Sequence, residues 1–244
     1  MNRGHLFALR SLKFPVIERL AWLGLARKKR AASRAFYEDL LCLEEISAPE
    51  EAIHYQVGDT EVRLHDPETI RSGGRHVHYA FSTSPSAYDR WVERLSRDHR
   101  VQEHDFGSFQ SMYCFDPNGH CVEIGSRGED ERLTDIFEVV LEVADLERSE
   151  AWYSSVGFET VGRGEKRPRV RMHTDALDLE LWEPHVGLAG AKGGVEVDLG
   201  FAISTMDELT EMVQPCEIAD DRAHVVDPDG HQITLLFEEK SHIN

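Results

Sequence analysis

An internal repeat limits this chain to folds built from two similar units. Residues 73–81 (GGRHVHYAF) correspond to residues 193–201 (GGVEVDLGF), and residues 116–124 (DPNGHCVEI) correspond to residues 227–235 (DPDGHQITL). The two segments recur at offsets of 120 and 111 residues, so the 244-residue chain contains two units of ordinary domain size. Glycines, turn residues and apolar positions persist in both copies, which predicts the same fold twice.

The two copies differ at positions suited to metal binding. Their alignment places His78 opposite Asp198 and Glu123 opposite Thr234, so only the first copy retains both an imidazole and a carboxylate. We therefore expect a functional site in the first half of the chain and a degenerate site in the second half.

Charge is distributed unevenly along the chain. The formal net charge is −18 at pH 7, although residues 1–35 carry nine basic residues and one acid, which leaves −26 on the remainder. A surface this acidic repels nucleic acid and anionic membranes, and it suits a high-salt cytoplasm in which screening removes the self-repulsion. We expect an acidic, halophile-like protein that binds neither nucleic acid nor membrane. An acidic surface that binds a basic partner is the alternative.

A cytoplasmic location is expected from the cysteines and the N-terminal segment. The four cysteines form no CxxC pair, which favours free thiols in a reducing compartment. The apolar N-terminal stretch is interrupted by Glu18 and Arg19 and contains no small-residue cleavage site, which argues against export. No apolar run approaches the roughly 18 residues that a membrane helix needs.

The sequence pattern of each half predicts the element order β-α-β-β-β twice, which indicates an α+β protein. Gly157 closes the first helix of the second half, and turns of Asp, Pro and Gly residues join the last two strands of each half. The polar, charged segment 125–135 is the expected interdomain linker. The expected organisation is an atypical basic segment, a first domain and a second domain, at residues 1–30, 31–126 and 133–238.

This element order, with the DPNGH and DPDGH turns that close the two halves, resembles the vicinal oxygen chelate superfamily. That superfamily includes glyoxalase I, extradiol dioxygenases and the bleomycin and fosfomycin resistance proteins. The resemblance extends over residues 31–238. It implies two domains, each of two βαβββ modules that form a curved mixed sheet around a cleft. In such a cleft a divalent metal binds two neighbouring oxygens of a small-molecule substrate. Two histidines and one carboxylate are the typical ligands of non-haem iron(II).

Two metal ligands are expected in the first half. His78 begins the segment HYAF on a strand whose alternate residues face inward, and His76 is its rival on the same face. Glu123 follows the DPNGH turn among apolar residues, where an unpaired inward acid is unfavourable. The resemblance assigns His78 and Glu123 to metal binding, and the alternatives are a packed histidine and an outward-facing acid. His120 is interpreted as a turn residue.

His104, Tyr113 and Glu123 are separated by nine and ten residues. This spacing is similar to that of an active-site histidine, an active-site tyrosine and the ligand glutamate in catechol-cleaving extradiol dioxygenases. By this resemblance, His104 and Tyr113 would be catalytic residues that hydrogen-bond the substrate oxygens and assist proton transfer. The alternatives are a loop histidine and a strand tyrosine without catalytic roles.

The third metal ligand is not evident from the sequence. An offset of 116 residues places Trp22 opposite Glu138, which stands where a metal histidine would lie in the second half. His5, in GHLFALRSL, is the candidate third ligand, although it needs about seventeen extra residues before the first helix. Alternatively, residues 1–30 are foreign to the fold. The ligand positions of the degenerate second domain are filled by Glu138, Asp198 and Thr234.

The leading hypothesis is a metal-dependent enzyme that resembles extradiol ring-cleaving dioxygenases and acts on a catecholic or other vicinal-oxygen substrate. Iron(II) is the expected metal, with manganese, zinc or nickel as alternatives. A non-catalytic small-molecule-binding or resistance-type protein is the second hypothesis, and a glyoxalase-like lyase, isomerase or thiol transferase is the third. The protein is expected to be a monomer or a homodimer.

Overall fold

Two open eight-stranded mixed sheets form the framework of the protein. The computed structural model describes residues 17–69, 72–184, 186, 196–204, 216–219 and 221–238. The strands of the first half are β1 (Ile17–Ala26), β2 (Glu44–Ser47), β3 (Ala52–Val57), β4 (Thr60–His65), β5 (Ser72–Arg75), β6 (Val77–Ser82), β7 (Gln102–Asp105), β8 (Gln110–Phe115) and β9 (Cys121–Gly125). The strands of the second half are β10 (Ile136–Glu142), β11 (Glu159–Arg163), β12 (Arg169–Thr174), β13 (Leu177–Trp182), β14 (Asp198–Ile203), β15 (Cys216–Ala219), β16 (Arg222–Val226) and β17 (Gln232–Phe237). The helices are α1 (Arg30–Arg34), which continues into a π-helical turn (Ala35–Leu40), α2 (Pro85–Ser96) and α3 (Leu146–Ser155).

Each sheet combines one module from each half of the chain. Sheet I has the strand order β15-β16-β17-β14-β1-β4-β3-β2, and sheet II has the order β11-β12-β13-β10-β6-β9-β8-β7. Sheet I therefore joins the first module to the fourth, and sheet II joins the second module to the third. The predicted α+β fold, with two mixed sheets of two modules each, is confirmed. The second helix that the β-α-β-β-β order predicts for the second half, at residues 207–213, lies outside the described residues.

The sequence repeat alone does not predict which modules pair. The domain limits at residues 31–126 and 133–238 stay a prediction, and each sheet takes strands from both sides of them. Apolar side chains of both sheets form one continuous core. The buried face of α2 adds Ala87, Tyr88, Trp91 and Leu95 at helical spacing. Among the described helices, none is long and apolar enough to cross a membrane.

The basic N-terminal segment contributes an interior strand of sheet I. β1 lies between β14 and β4, and its last seven residues are all buried. Residues 17–26 therefore belong to the fold and are not the insertion that would place His5 on the first strand. His5 itself lies outside the described residues.

The backbone register confirms the alignment of the repeat. Ala80 of β6 pairs with Glu123 on one side and with Glu138 on the other. Gly200, which corresponds to Ala80, pairs in the same way within sheet I. Gly200 pairs with Thr234, which is equivalent to Glu123, and with Trp22, which is equivalent to Glu138.

A buried aspartate organises the turn before the last strand of each half. Asp116 Oδ1 accepts hydrogen bonds from the backbone N–H groups of residues 118–120 at 2.8 to 2.9 Å. Its Oδ2 accepts one from the hydroxyl of Tyr37 at 3.0 Å. Asp227 has the same role in the second half. The ring of His120 lies 3.1 Å from Asp116, within this turn.

Candidate metal site

Three side chains from adjacent strands converge on one face of sheet II. His78 lies on β6, Glu123 on β9 and Glu138 on β10, and one ligand atom of each lies within 4.8 Å of the others. β6 runs between β10 and β9, so its alternate side chains lie beside those of both neighbours. We refer to these three residues as the His/Glu cluster.

Hydrogen bonds hold two members of the His/Glu cluster as an ion pair. His78 Nε2 lies 2.8 Å from Glu123 Oε2, both residues are buried, and the hydroxyl of Ser111 donates to Glu123 Oε1. Burial alone would lower the pKa of His78, but the hydrogen bond to Glu123 and the nearby carboxylates raise it above its usual value. Burial acts in the opposite direction on Glu123, and hydrogen bonds from His78, Ser111 and Tyr113 bring its pKa below the usual value.

Glu138 lacks the hydrogen bonds that offset the desolvation of Glu123. Desolvation raises its pKa to about 7, repulsion from Glu123 and Glu180 adds to the rise, and His78 and Arg171 oppose it. No described residue donates a hydrogen bond to its carboxylate. A half-buried, desolvated carboxylate of this kind is unfavourable unless it is protonated or bound to a cation.

Glu180 adds a third acidic side chain on the same face. It lies on β13 and is buried. Its Oε2 accepts hydrogen bonds from Trp182 Nε1 at 2.7 Å and from Arg169 at 3.2 Å. Glu180 is therefore neutralised by its own donors, whereas Glu138 is not.

The donor set fits a divalent cation. One imidazole and two carboxylates converge, and Glu138 supplies a charge that a cation would neutralise. The set departs from the expected two histidines and one carboxylate, because the cluster in the described residues contains a single histidine. Carboxylate-rich sites suit harder cations such as magnesium and manganese better than an imidazole-rich site does.

The predicted catalytic residues lie on β7 and β8, beside the cluster. The ring centroid of Tyr113 lies 5.5 Å from that of His78, and the ring of His104 lies 5.4 Å from that of Tyr113. Desolvation and the charge of Glu123 raise the pKa of Tyr113 above its usual value, so its hydroxyl stays protonated. His104 is exposed. Tyr113 thus lies next to the His/Glu cluster. His104 lies on the other side of Tyr113 and is exposed to solvent.

His76, the rival of His78, is not part of the cluster. Its ring is buried and stacks on Trp182, with centroids 5.1 Å apart and planes inclined by 12°. Burial lowers its pKa to about 3, so the ring is neutral. Neither ring nitrogen has a hydrogen-bond partner among the described residues.

The corresponding face of sheet I is filled by a tryptophan. Trp22 stands in the place of Glu138, and its Nε1 donates to Asp198 Oδ2 at 2.9 Å. The guanidinium carbon of Arg63 lies 3.9 Å from the centroid of the indole. Thr234 Oγ1 lies 3.0 Å from the ring of His224. Within the described part of sheet I, no group of three ligands comparable to the His/Glu cluster is present.

The structure corrects the assignment of Glu138. The alignment placed it among the ligand positions of a degenerate second half, but the pairing of the second and third modules places it beside His78 and Glu123. Glu138 is thus the third ligand-type side chain of the cluster, whereas His5, the sequence candidate for the third ligand, lies outside the described residues and stays a prediction. A detectable signal was its place inside the apolar strand IFEVVLE, which is unfavourable for an acid without a partner.

Comparisons with known proteins agree with this architecture. Residues 19–124 match the sequence model of the Glyoxalase/Bleomycin resistance protein/Dioxygenase superfamily. No curated protein sequence matches the chain. Among solved structures, a "putative dioxygenase" from Bacillus subtilis subsp. subtilis str. 168 is similar, with a TM-score of 0.69, 14% identity, and coverage of 91% of this chain and 86% of that chain. Glyoxalase I from Zea mays is also similar, with a TM-score of 0.63, 16% identity, and coverage of 90% of this chain and 92% of that chain.

At these identities, the similarity to the solved structures establishes the fold and not the activity. The repeat, the turns, the two sheets of paired modules and the match of residues 19–124 all agree. Residues 19–124 therefore match the Glyoxalase/Bleomycin resistance protein/Dioxygenase superfamily, and the whole chain shares the fold of the similar solved structures.

Proposed function

We propose that the protein is a metal-dependent enzyme that moves a proton on a small molecule with two neighbouring oxygens, as a glyoxalase-like isomerase or lyase does. The position of Glu138 beside His78 and Glu123 supports this function most directly. In the metal-free protein, desolvation raises the pKa of Glu138 to about 7, so it takes up a proton more readily than Glu123, whose pKa lies below its usual value. The cluster also takes its side chains from two different modules.

The residues of the cluster divide into holding and proton-transfer roles. A divalent ion held by His78 and Glu123, next to Glu138, would supply positive charge that polarises the two substrate oxygens. Glu123 keeps its orientation through His78 and Ser111. Glu138, which no described residue neutralises by a hydrogen bond, can accept a proton from the substrate and return it. Tyr113 remains protonated and can donate a hydrogen bond to a substrate oxygen that becomes negative.

An extradiol-type dioxygenase that uses iron(II) is the second candidate. The nearness of Tyr113 to His78, with His104 behind it, favours this activity. The single histidine of the cluster counts against it, because iron(II) oxygenases typically use two. The fold does not decide between the two, since the similar solved structures carry both names.

Metal analysis tests whether the cluster binds an ion. Protein loaded anaerobically with iron(II), manganese or magnesium and then dialysed should retain about one ion per chain. The substitutions His78→Ala and Glu123→Ala should each abolish retention. Asp198→Asn changes the position in sheet I that corresponds to His78, so it serves as the matched control and should leave retention intact. Retention by both cluster variants would contradict the proposed site.

The reaction class is tested by following protons and oxygen separately. In D₂O, the metal-loaded protein should catalyse deuterium exchange at the carbon next to the carbonyl in a panel of α-hydroxyketones and hemithioacetals, as detected by NMR. Glu138→Gln should reduce that exchange by about 100-fold or more, because it removes the base. Oxygen uptake with catechols, lost in Tyr113→Phe and without deuterium exchange, would instead identify a dioxygenase.

A further inference from the structure

Cationic side chains lie beside the His/Glu cluster on the same face of sheet II. In the ladder between β12 and β13, Arg171 pairs with Glu180, and His173 pairs with Asp178. Asp178 also pairs with Glu138 across the next ladder. Residues directly opposite one another in a sheet project to the same face. The cations therefore occupy the face of the sheet that carries the proposed metal site.

Asp178 contacts two guanidinium groups and one imidazole. Asp178 accepts from Arg171 at 2.6 Å and lies 2.7 Å from His173 Nδ1, and a terminal nitrogen of Arg127 lies 3.7 Å away. Asp178 is buried, whereas each of the other three side chains is more than a third exposed. Asp178 therefore shares its charge between two guanidinium groups whose outer parts are exposed.

The other acids on this face are already occupied. Glu180 accepts hydrogen bonds from Arg169 and Trp182, and Glu138 belongs to the His/Glu cluster. Within the described residues, Arg171 Nε is buried without a hydrogen-bond partner. Arg171 therefore keeps a donor that no described residue uses and a terminal guanidinium edge that is partly exposed to an additional acceptor.

Arg127 also borders an aromatic surface. Its guanidinium carbon lies 4.5 Å from the ring centroid of Phe137 and 5.2 Å from that of Phe109. Phe137 directly precedes Glu138 on β10. A guanidinium stacked on aromatic rings keeps its N–H edge free for an acceptor in the same plane. An apolar or aromatic group would find contact surface here, next to the cations.

We propose that the substrate is a small carboxylic acid whose carboxylate is bound by Arg127 and Arg171 while its two neighbouring oxygens face the His/Glu cluster. This inference rests on the proposed function, since it assigns a further part of the same substrate. Guanidinium groups bind carboxylates through paired, charge-assisted hydrogen bonds, which makes the two arginines specificity-determining residues. The carbon skeleton of the substrate contacts Phe109 and Phe137.

A matched pair of probes isolates the carboxylate. The acid 3,4-dihydroxybenzoate and its neutral amide, 3,4-dihydroxybenzamide, share two neighbouring hydroxyls and differ in charge. Isothermal titration calorimetry with metal-loaded and metal-free protein should show the acid binding at least about tenfold more tightly than the amide. Arg171→Gln and Arg127→Gln should each reduce that ratio to about twofold or less. Arg163→Gln is the control, because Arg163 is exposed on β11 and pairs with Glu150 of α3.

The outcomes separate this inference from the proposed function. Equal affinity of the wild type for acid and amide, binding of neither probe, or an unchanged ratio in both arginine variants would overturn it. Circular dichroism and thermal unfolding identify any variant that fails to fold, and the other arginine variant then provides the measurement. If the proposed function fails, metal retention and deuterium exchange are lost, while the preference of the metal-free protein for the acid persists.

Discussion

Glu138 gives the metal-free protein a carboxylate that is partly protonated near neutral pH. Desolvation raises its pKa from the usual 4.5 to about 7. The folded state thus binds this proton more tightly than the unfolded chain does. The resulting stability is fully present below about pH 4.5 and is lost as the pH rises through about 7. The same group that suits proton transfer therefore destabilises the fold at alkaline pH.

The substitution Glu138→Gln should stabilise the metal-free protein at pH 8, because an amide stays neutral where the wild type buries an ionised carboxylate. In urea denaturation with a chelator, the gain in free energy of unfolding should be smallest near pH 5 and reach about 2 kcal/mol at pH 8. Glu159→Gln, on exposed β11, is the matched control and should change stability little at either pH. A variant less stable than the wild type at pH 8 would contradict the assigned pKa shift.

At the scale of elements, β1 and β14 repeat the register of β10 and β6 but enclose a larger side chain. A Cβ added to Gly200 would lie 2.3 Å from a ring atom of Trp22. The indole cannot move freely, because Asp198 accepts its N–H and Arg63 stacks on its face. Ala80 holds the corresponding position in sheet II, where the partner is a glutamate. Gly200 is thus required because the indole of Trp22 occupies the space of a Cβ, and not because of the backbone conformation of the strand.

Gly200→Ala should lower the free energy of unfolding by about 2 kcal/mol, because overpacking of this size forces the indole or the strands to shift. In a Trp22→Ala background the same substitution should change stability by less than about 0.5 kcal/mol, which a double-mutant cycle in urea would measure. Gly162→Ala is the control, since nothing lies within 4 Å of a Cβ built there. An equal loss of free energy of unfolding in the wild-type and Trp22→Ala backgrounds would show that the indole does not cause the destabilisation.

Local chemistry explains how far the sequence predicts these elements. Strand alternation and the aspartate turns predict β6, β9 and the nearness of His78 to Glu123, because both residues lie in one module. The place of Glu138 depends on the pairing of β6 with β10, which joins different modules. No local pattern encodes that pairing. The sequence therefore offers His5, in the same half of the chain, as the candidate third ligand.

At the scale of the whole molecule, the two halves of the chain are not independent layers. β1 pairs with β14 in sheet I, and β6 pairs with β10 in sheet II. A single apolar core includes side chains of both sheets. The polar segment 125–135 links the halves covalently, but the sheets join them through hydrogen bonds and packing.

Strands from opposite halves should therefore unfold together. Native-state hydrogen exchange in increasing urea should give β1 and β14 the same opening free energy within about 0.5 kcal/mol, and likewise β6 and β10. Mass spectrometry of peptides from these four strands provides the measurement. Loss of protection throughout residues 17–125 while residues 136–237 remain protected would contradict this coupling of the halves.

The strand order also determines when the site can form during protein synthesis. His78 and Glu123 leave the ribosome before Glu138, and β13 follows later still. A nascent chain that ends at the linker contains two of the three cluster residues, and its β1 has no β14 to pair with. The proposed ion site therefore cannot be completed on the first half as it emerges. About 170 further residues must be synthesised before β14 can pair with the apolar edge of β1. During that interval the edge of β1 is exposed, and a chaperone can protect it.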